Sequence, residues 1–207
     1  MLILRYLAIS LSLFAGFAGL RADPSAEASA KVEALAKAGA QTMGQPEEFN
    51  AVAIMNNNLG TASDRVIMRV ERWSTEAERI RVAEALKKGN DAALELLREL
   101  RPVGTIRTPD SLGYDLRYAA QEPSEEGGRR IVIATDRPIN FWEARNQPRT
   151  IDYPFTFIQI EMDRNGEGKG TLSLMTRVLP RGNTIVLENF ASAPVMLSNV
   201  RARAITP

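Results

Sequence analysis

The sequence predicts a strand-dominated α+β fold: a curled antiparallel sheet or barrel with one helical hairpin, about residues 75–100, packed on it. Three observations carry this expectation. Period-two apolar patterning recurs between clusters of Gly, Asn and Pro, whereas helical spacing is confined to one window that opens on a capping signal and closes on a proline. The chain contains no cysteine, so the folded part of the about 185 residues left after residues 1–22 must hold without disulfides.

The first twenty-two residues, MLILRYLAISLSLFAGFAGLRA, place one arginine before an apolar run from Leu7 to Leu20. The run is shorter than the roughly 18–20 apolar residues that span a bilayer, and small residues offer cleavage after Ala22 or Ala18. Residues 1–22 therefore read as a secretory signal, cleaved or retained as an anchor, and the product as periplasmic or extracellular. No membrane span is expected after cleavage. Residues 23–48, rich in Ala, Ser, Glu and Lys, have little to bury and read as a flexible or marginally helical linker, leaving 49–207 as a single globular domain.

Within that domain Phe49–Asn56 is a weak strand, and Arg65–Trp73 alternates with Val66, Met68 and Val70 on one face. Thr75 and Glu78 form a capping box for a helix whose Ile80, Ala83 and Leu86 recur at helical spacing up to Gly89. Asn90 is placed to cap a second helix, marked by Leu94, Leu97 and Leu100 and ended by Pro102. Beyond Val103 strands dominate. Tyr114, Leu116 and Tyr118 alternate with Asp115 and Arg117, and the continuous run Ile131–Ala134 suits a strand covered on both faces. Phe155–Met162, Thr171–Val178, Ile185–Phe190 and Val195–Val200 complete a sheet of about six to nine strands.

The turn DRNGEG, Asp163–Gly168, sets a register. A two-residue loop at Asn165–Gly166 would put Ile158 opposite Ser173 and mismatch the apolar faces. A three-residue loop with Gly166 in a left-handed bulge puts Ile158 opposite Leu172, and is the pairing expected.

Several phrases occur together: ERWSTEAER at 71–79, VGTIRTPDSLGYDLRYA at 103–119, GGRRIVIATDRP at 127–138 and DYPFTFIQIEMD at 152–163. As a set they resemble an uncharacterised family of secreted bacterial proteins. The resemblance implies exported bacterial origin and assigns no activity or site.

Composition narrows the chemistry. The chain has neither histidine nor cysteine, which excludes imidazole and thiolate catalysis and their metal sites. The formal charge of +1 moves to about −1 when residues 1–22, with Arg5 and Arg21, are removed; no basic face for nucleic acid follows. The run Asp163, Asn165, Glu167, Gly168 imitates a calcium loop but has Leu174 where the bidentate Glu belongs. Gly166, Gly168 and Gly170 are followed by strand rather than the helix a phosphate loop needs. Asp136, Glu143 and Asp152 could do acid–base work, but Arg137, Arg145 and Arg149 lie close enough to pair with them.

The remaining candidates are aromatic and arginine side chains, within a group that also includes Arg107, Tyr114 and Arg149. Arg117, Tyr118, Arg137, Phe141, Trp142 and Arg145 could together hold a small amphipathic anion by guanidinium forks and ring faces. The same residues could instead be core packing and ion pairs, with Phe141 and Trp142 plugging one end of the sheet. No catalytic residue, metal or cofactor is assigned. The function expected is a non-enzymatic exported domain that binds a small amphipathic or anionic ligand or a cell-envelope partner. A carboxylate-based hydrolase or lyase and a structural or assembly factor of the envelope are the alternatives.

Overall fold

The structure, a computed structural model, describes residues 7–9, 44–57, 60–124, 127–139, 154–181, 184–189 and 194–205. It is a strand-dominated antiparallel sheet with two helices. In chain order the strands are β1 (Leu7–Ile9), β2 (Glu47–Asn57), β3 (Gly60–Val70), β4 (Gly104–Arg107), β5 (Tyr114–Leu116), β6 (Tyr118–Pro123), β7 (Arg129–Ala134), β8 (Phe155–Met162), β9 (Glu167–Arg181), β10 (Thr184–Asn189) and β11 (Val195–Ala204). The helices α1 (Glu76–Lys88) and α2 (Asn90–Glu99) lie between β3 and β4.

The hydrogen-bonded path runs β5-β4-β3-β2-β11-β9-β8-β7-β6, with β10 on the far half of β9 and β1 against β10. That path is not closed into a barrel. Its two ends are nevertheless consecutive in the chain, because only Arg117 separates β5 from β6. The sheet therefore curls until its first and last strands form one bent segment. The bend also breaks the expected alternation. Leu116 and Ala119 both enter the inner core, whereas Tyr118 turns to the other face.

Inward side chains from nine strands fill the curl, Phe49, Met68, Ile106, Leu116, Ile131 and Ile158 among them. A second apolar cluster lies outside, where the helical hairpin packs Val82, Ala85, Leu96 and Leu97 against Ala134, Phe155, Phe157 and Val178. The run Ile131–Ala134 is covered from both sides only at its end: Ile131 and Ile133 point into the curl and Ala134 lies under the helices, whereas Val132 is half-buried and belongs to neither cluster, so the double cover expected of the run is met in part. On α1 the buried side is Val82 and Ala85, and Ile80 stays 48% exposed, so the stripe expected at Ile80, Ala83 and Leu86 is rotated. The hairpin's docking angle, which α1 alone does not encode, decides this.

The β8–β9 register is the expected one, Ile158 opposite Leu172, with Gly166 at φ 80° closing a three-residue loop. Gly170 has a further reason to be glycine. A Cβ there would lie 2.3 Å from the carbonyl oxygen of Gln159. Asn199, at φ 50°, sits where the pairings of β11 with both β2 and β9 shift, a bulge that bends the strand round the core. Asn90 does not cap α2. It is the first helical residue, and its Oδ1 accepts from the Val178 amide at 2.6 Å, clasping the hairpin to β9.

Candidate functional site

The seam where β5 passes into β6 gathers three of the charged residues that the sequence singles out, Arg117, Asp136 and Arg137. The Arg117 amide donates to the Ala134 carbonyl at 2.9 Å, which ties the bend to β7. Its side chain reaches three acceptors from three elements. Nη1 donates to the Leu100 carbonyl at the end of α2 (3.1 Å), Nη2 lies 3.2 Å from Asp115 Oδ2, and Nε lies 3.2 Å from Asp136 Oδ2. The buried Nε makes no well-aligned hydrogen bond despite that approach. Arg117 is a brace, holding the bend, the helix exit and β7's end together.

Asp136 has a side chain only 4% exposed, and its charge is met from two sides. While Oδ2 faces Arg117, Oδ1 accepts from Arg137 Nε at 3.0 Å. This carboxylate raises the affinity of the Arg137 guanidinium for its proton, by hydrogen bonding first and by charge second. Arg137 itself is 59% exposed and uses only Nε in that contact. The segment is pinned from below. Thr135 Oγ1 accepts from the Thr156 amide at 3.1 Å, and Thr156 Oγ1 accepts from the Ile139 amide at 2.9 Å. These buried threonines satisfy backbone donors that would otherwise be stranded where β7 ends.

Tyr118 packs against the helical cluster, and burial first of all pushes its phenol above the usual range, with Arg79 opposing. Tyr114 packs on the inner core instead. Arg117 and Arg137 therefore converge on one carboxylate, and Tyr118 follows the bend but turns to the helices. Arg107 lies elsewhere, on β4. Phe141, Trp142 and Arg145, like Glu143, Arg149 and Asp152, lie outside the described residues.

A polar cluster that sequence reading missed lies along β2, β6 and β7. Arg129 grips buried Glu47 with both terminal nitrogens (2.7 and 2.8 Å), and Nη1 also donates to Gln121 Oε1 at 2.7 Å. The guanidinium stands 5.8 Å from the centre of the Phe49 ring. Glu47 precedes the first clear apolar alternation and its partner is 82 residues away, so only the doublet Arg129–Arg130 hinted at it. Two strands that are distant along the sheet path meet here across the curl.

Among the described residues the seam is a set of paired charges, Arg117 and Arg137 against Asp115 and Asp136. Asp136, the described member of the suspected acidic set, is bonded to two arginines. No group of three or more potential metal ligands occurs among the described residues. At the DRNGEG turn, Asp163 accepts from the amides of Asn165 (2.8 Å) and Glu167 (3.0 Å), which lowers its pKa, Glu167 first. Its oxygens serve the turn. Comparison of the chain with protein-family models, with curated proteins and with solved structures returns no significant match.

Proposed function

We propose that the chain is an exported, non-catalytic domain that binds a small anionic, partly apolar ligand at the seam of its curled sheet. One observation carries the reading. Asp136 holds Arg137 by Nε alone, so the two terminal nitrogens of a mostly exposed guanidinium have no described partner. A fork held from behind and open in front suits bidentate contact with a carboxylate or phosphate. The sequence that follows Arg137 also carries Phe141, Trp142 and Arg145, whose rings and charge match such a ligand in type. The packed interior of the curl favours a ligand held at the surface over one enclosed by the strands. Export rests on the apolar run after Arg5.

The test is native mass spectrometry of protein purified without denaturant, followed by titration of Arg137→Ala with whatever small molecule is found. We expect a retained anion or amphiphile whose affinity falls at least about tenfold in the variant, the scale of a lost charge-assisted pair. Equal affinity in the variant, or a protein that carries and binds no such molecule, would discard the seam as a site.

A further inference from the structure

The outward faces of β4, β3, β2 and β11 make a surface on the side of the sheet opposite the inner core and apart from the strands the helical hairpin covers. Cross-strand register brings Arg107 beside Ile67, Arg65 beside Val52, and Met196 beside Ile54. Met196 is 52% and Val52 37% exposed, two of the few large apolar side chains left so open. Ile54 and Ile67 are half-buried.

Charge on this face is uneven. Every other strand arginine with a described side chain lies within ion-pair distance of a carboxylate. Arg65 and Arg107 have no such partner among the described residues. They occupy diagonal positions on paired strands, roughly 7–8 Å apart, which puts two like charges side by side with no described counter-charge.

We propose that this face docks on an anionic lipid bilayer. Val52, Ile54 and Met196 enter the headgroup layer while Arg65 and Arg107 meet lipid phosphates. Apolar groups interleaved with uncompensated arginines suit a partner that repeats anionic groups over an apolar layer, because the apolar contribution alone is too small for stable attachment. Binding then depends on charge and weakens with salt. The proposal is independent of ligand binding at the seam.

The experiment is co-sedimentation of the full chain with vesicles of phosphatidylcholine alone or mixed with phosphatidylglycerol. Wild type is compared with the double variant Arg65→Gln/Arg107→Gln and with Met196→Ser. All three share the same N-terminal apolar segment, so differences report the face. Circular dichroism and thermal unfolding check that the variants fold; the substituted side chains are surface groups. We expect preference for the phosphatidylglycerol vesicles and a loss of about twenty-five-fold in the double variant, from about five-fold per arginine near an anionic surface. We also expect weaker binding by Met196→Ser. Equal binding to both vesicle types, or a double variant that binds as well as wild type, overturns the proposal. So does a result in which the substitutions shift self-association in the ultracentrifuge and leave vesicle binding unchanged, which would make the face a contact between copies.

Discussion

Glu78 serves two structures at once. Its carboxylate accepts from the Thr75 amide at 2.8 Å to complete the capping box, and it is gripped at both oxygens by Arg72, at 2.9 and 3.0 Å. Arg72 also donates to the Arg101 carbonyl at 2.8 Å, tying the entry of the hairpin to its exit. The Arg72 hydrogen bonds are the largest cause of a Glu78 pKa below its ordinary 4.5. Folding thus favours the charged form. The resulting stability is fully present above the unfolded-state pKa and is lost as pH falls through the lower folded-state value. We expect Glu78→Gln to be less stable than wild type at neutral pH and the gap to narrow below about pH 4.5, followed by urea unfolding across that range. A gap independent of pH would mean that Glu78 acts through packing. The box was legible because its two residues are three apart; Arg72 was not, because its other partner lies beyond both helices.

At the scale of elements, β8 and β9 show why glycine recurs at alternate positions. Gly168 and Gly170 stand opposite Met162 and Ile160, and a side chain at either would strike the neighbouring strand's backbone. The pattern that imitates a phosphate loop is the signature of two strands coiled closely round a core. Gly170→Ala is expected to cost roughly 1–3 kcal/mol, the scale of overpacking, and to raise amide exchange in β8 and β9. An unchanged melting temperature would show that the strands can part at no cost. The β8–β9 register beside the turn was readable, since turn chemistry and apolar faces admit one pairing there; the shift between Phe155 and Phe157 was not. The helix faces were readable only in part. α2 buries Leu97 and Leu100 as its spacing predicts, but the buried side of α1 follows from how the pair docks.

For the whole molecule the question is how the main path of the sheet, from β5 to β6, avoids two open edges. The bend at Arg117 merges the ends, and Ser74 covers what remains. Its amide donates to the Ala119 carbonyl at 2.9 Å, and its hydroxyl accepts from the Ala119 amide at 3.1 Å. One buried residue beyond β3 thereby stitches the far strand β6 to the start of the hairpin. Ser74→Ala strands the buried Ala119 amide and should cost about 1–3 kcal/mol in urea unfolding, with unchanged dependence on denaturant. Loss of less than a few tenths would mean the edge is held by the bend alone.

The sequence by itself determined the class of fold, the capping box and the β8–β9 register beside the turn. Each depends on residues a few positions apart, where periodicity and turn chemistry are encoded. Only the tertiary structure decided that Arg117 and Arg137 share one buried carboxylate, that Glu47 meets Arg129, and that Arg65 and Arg107, on an exposed face, have no carboxylate partner among the described residues. Charge pairing across a curled sheet is set by which strands the curl brings together. No local pattern records that distance.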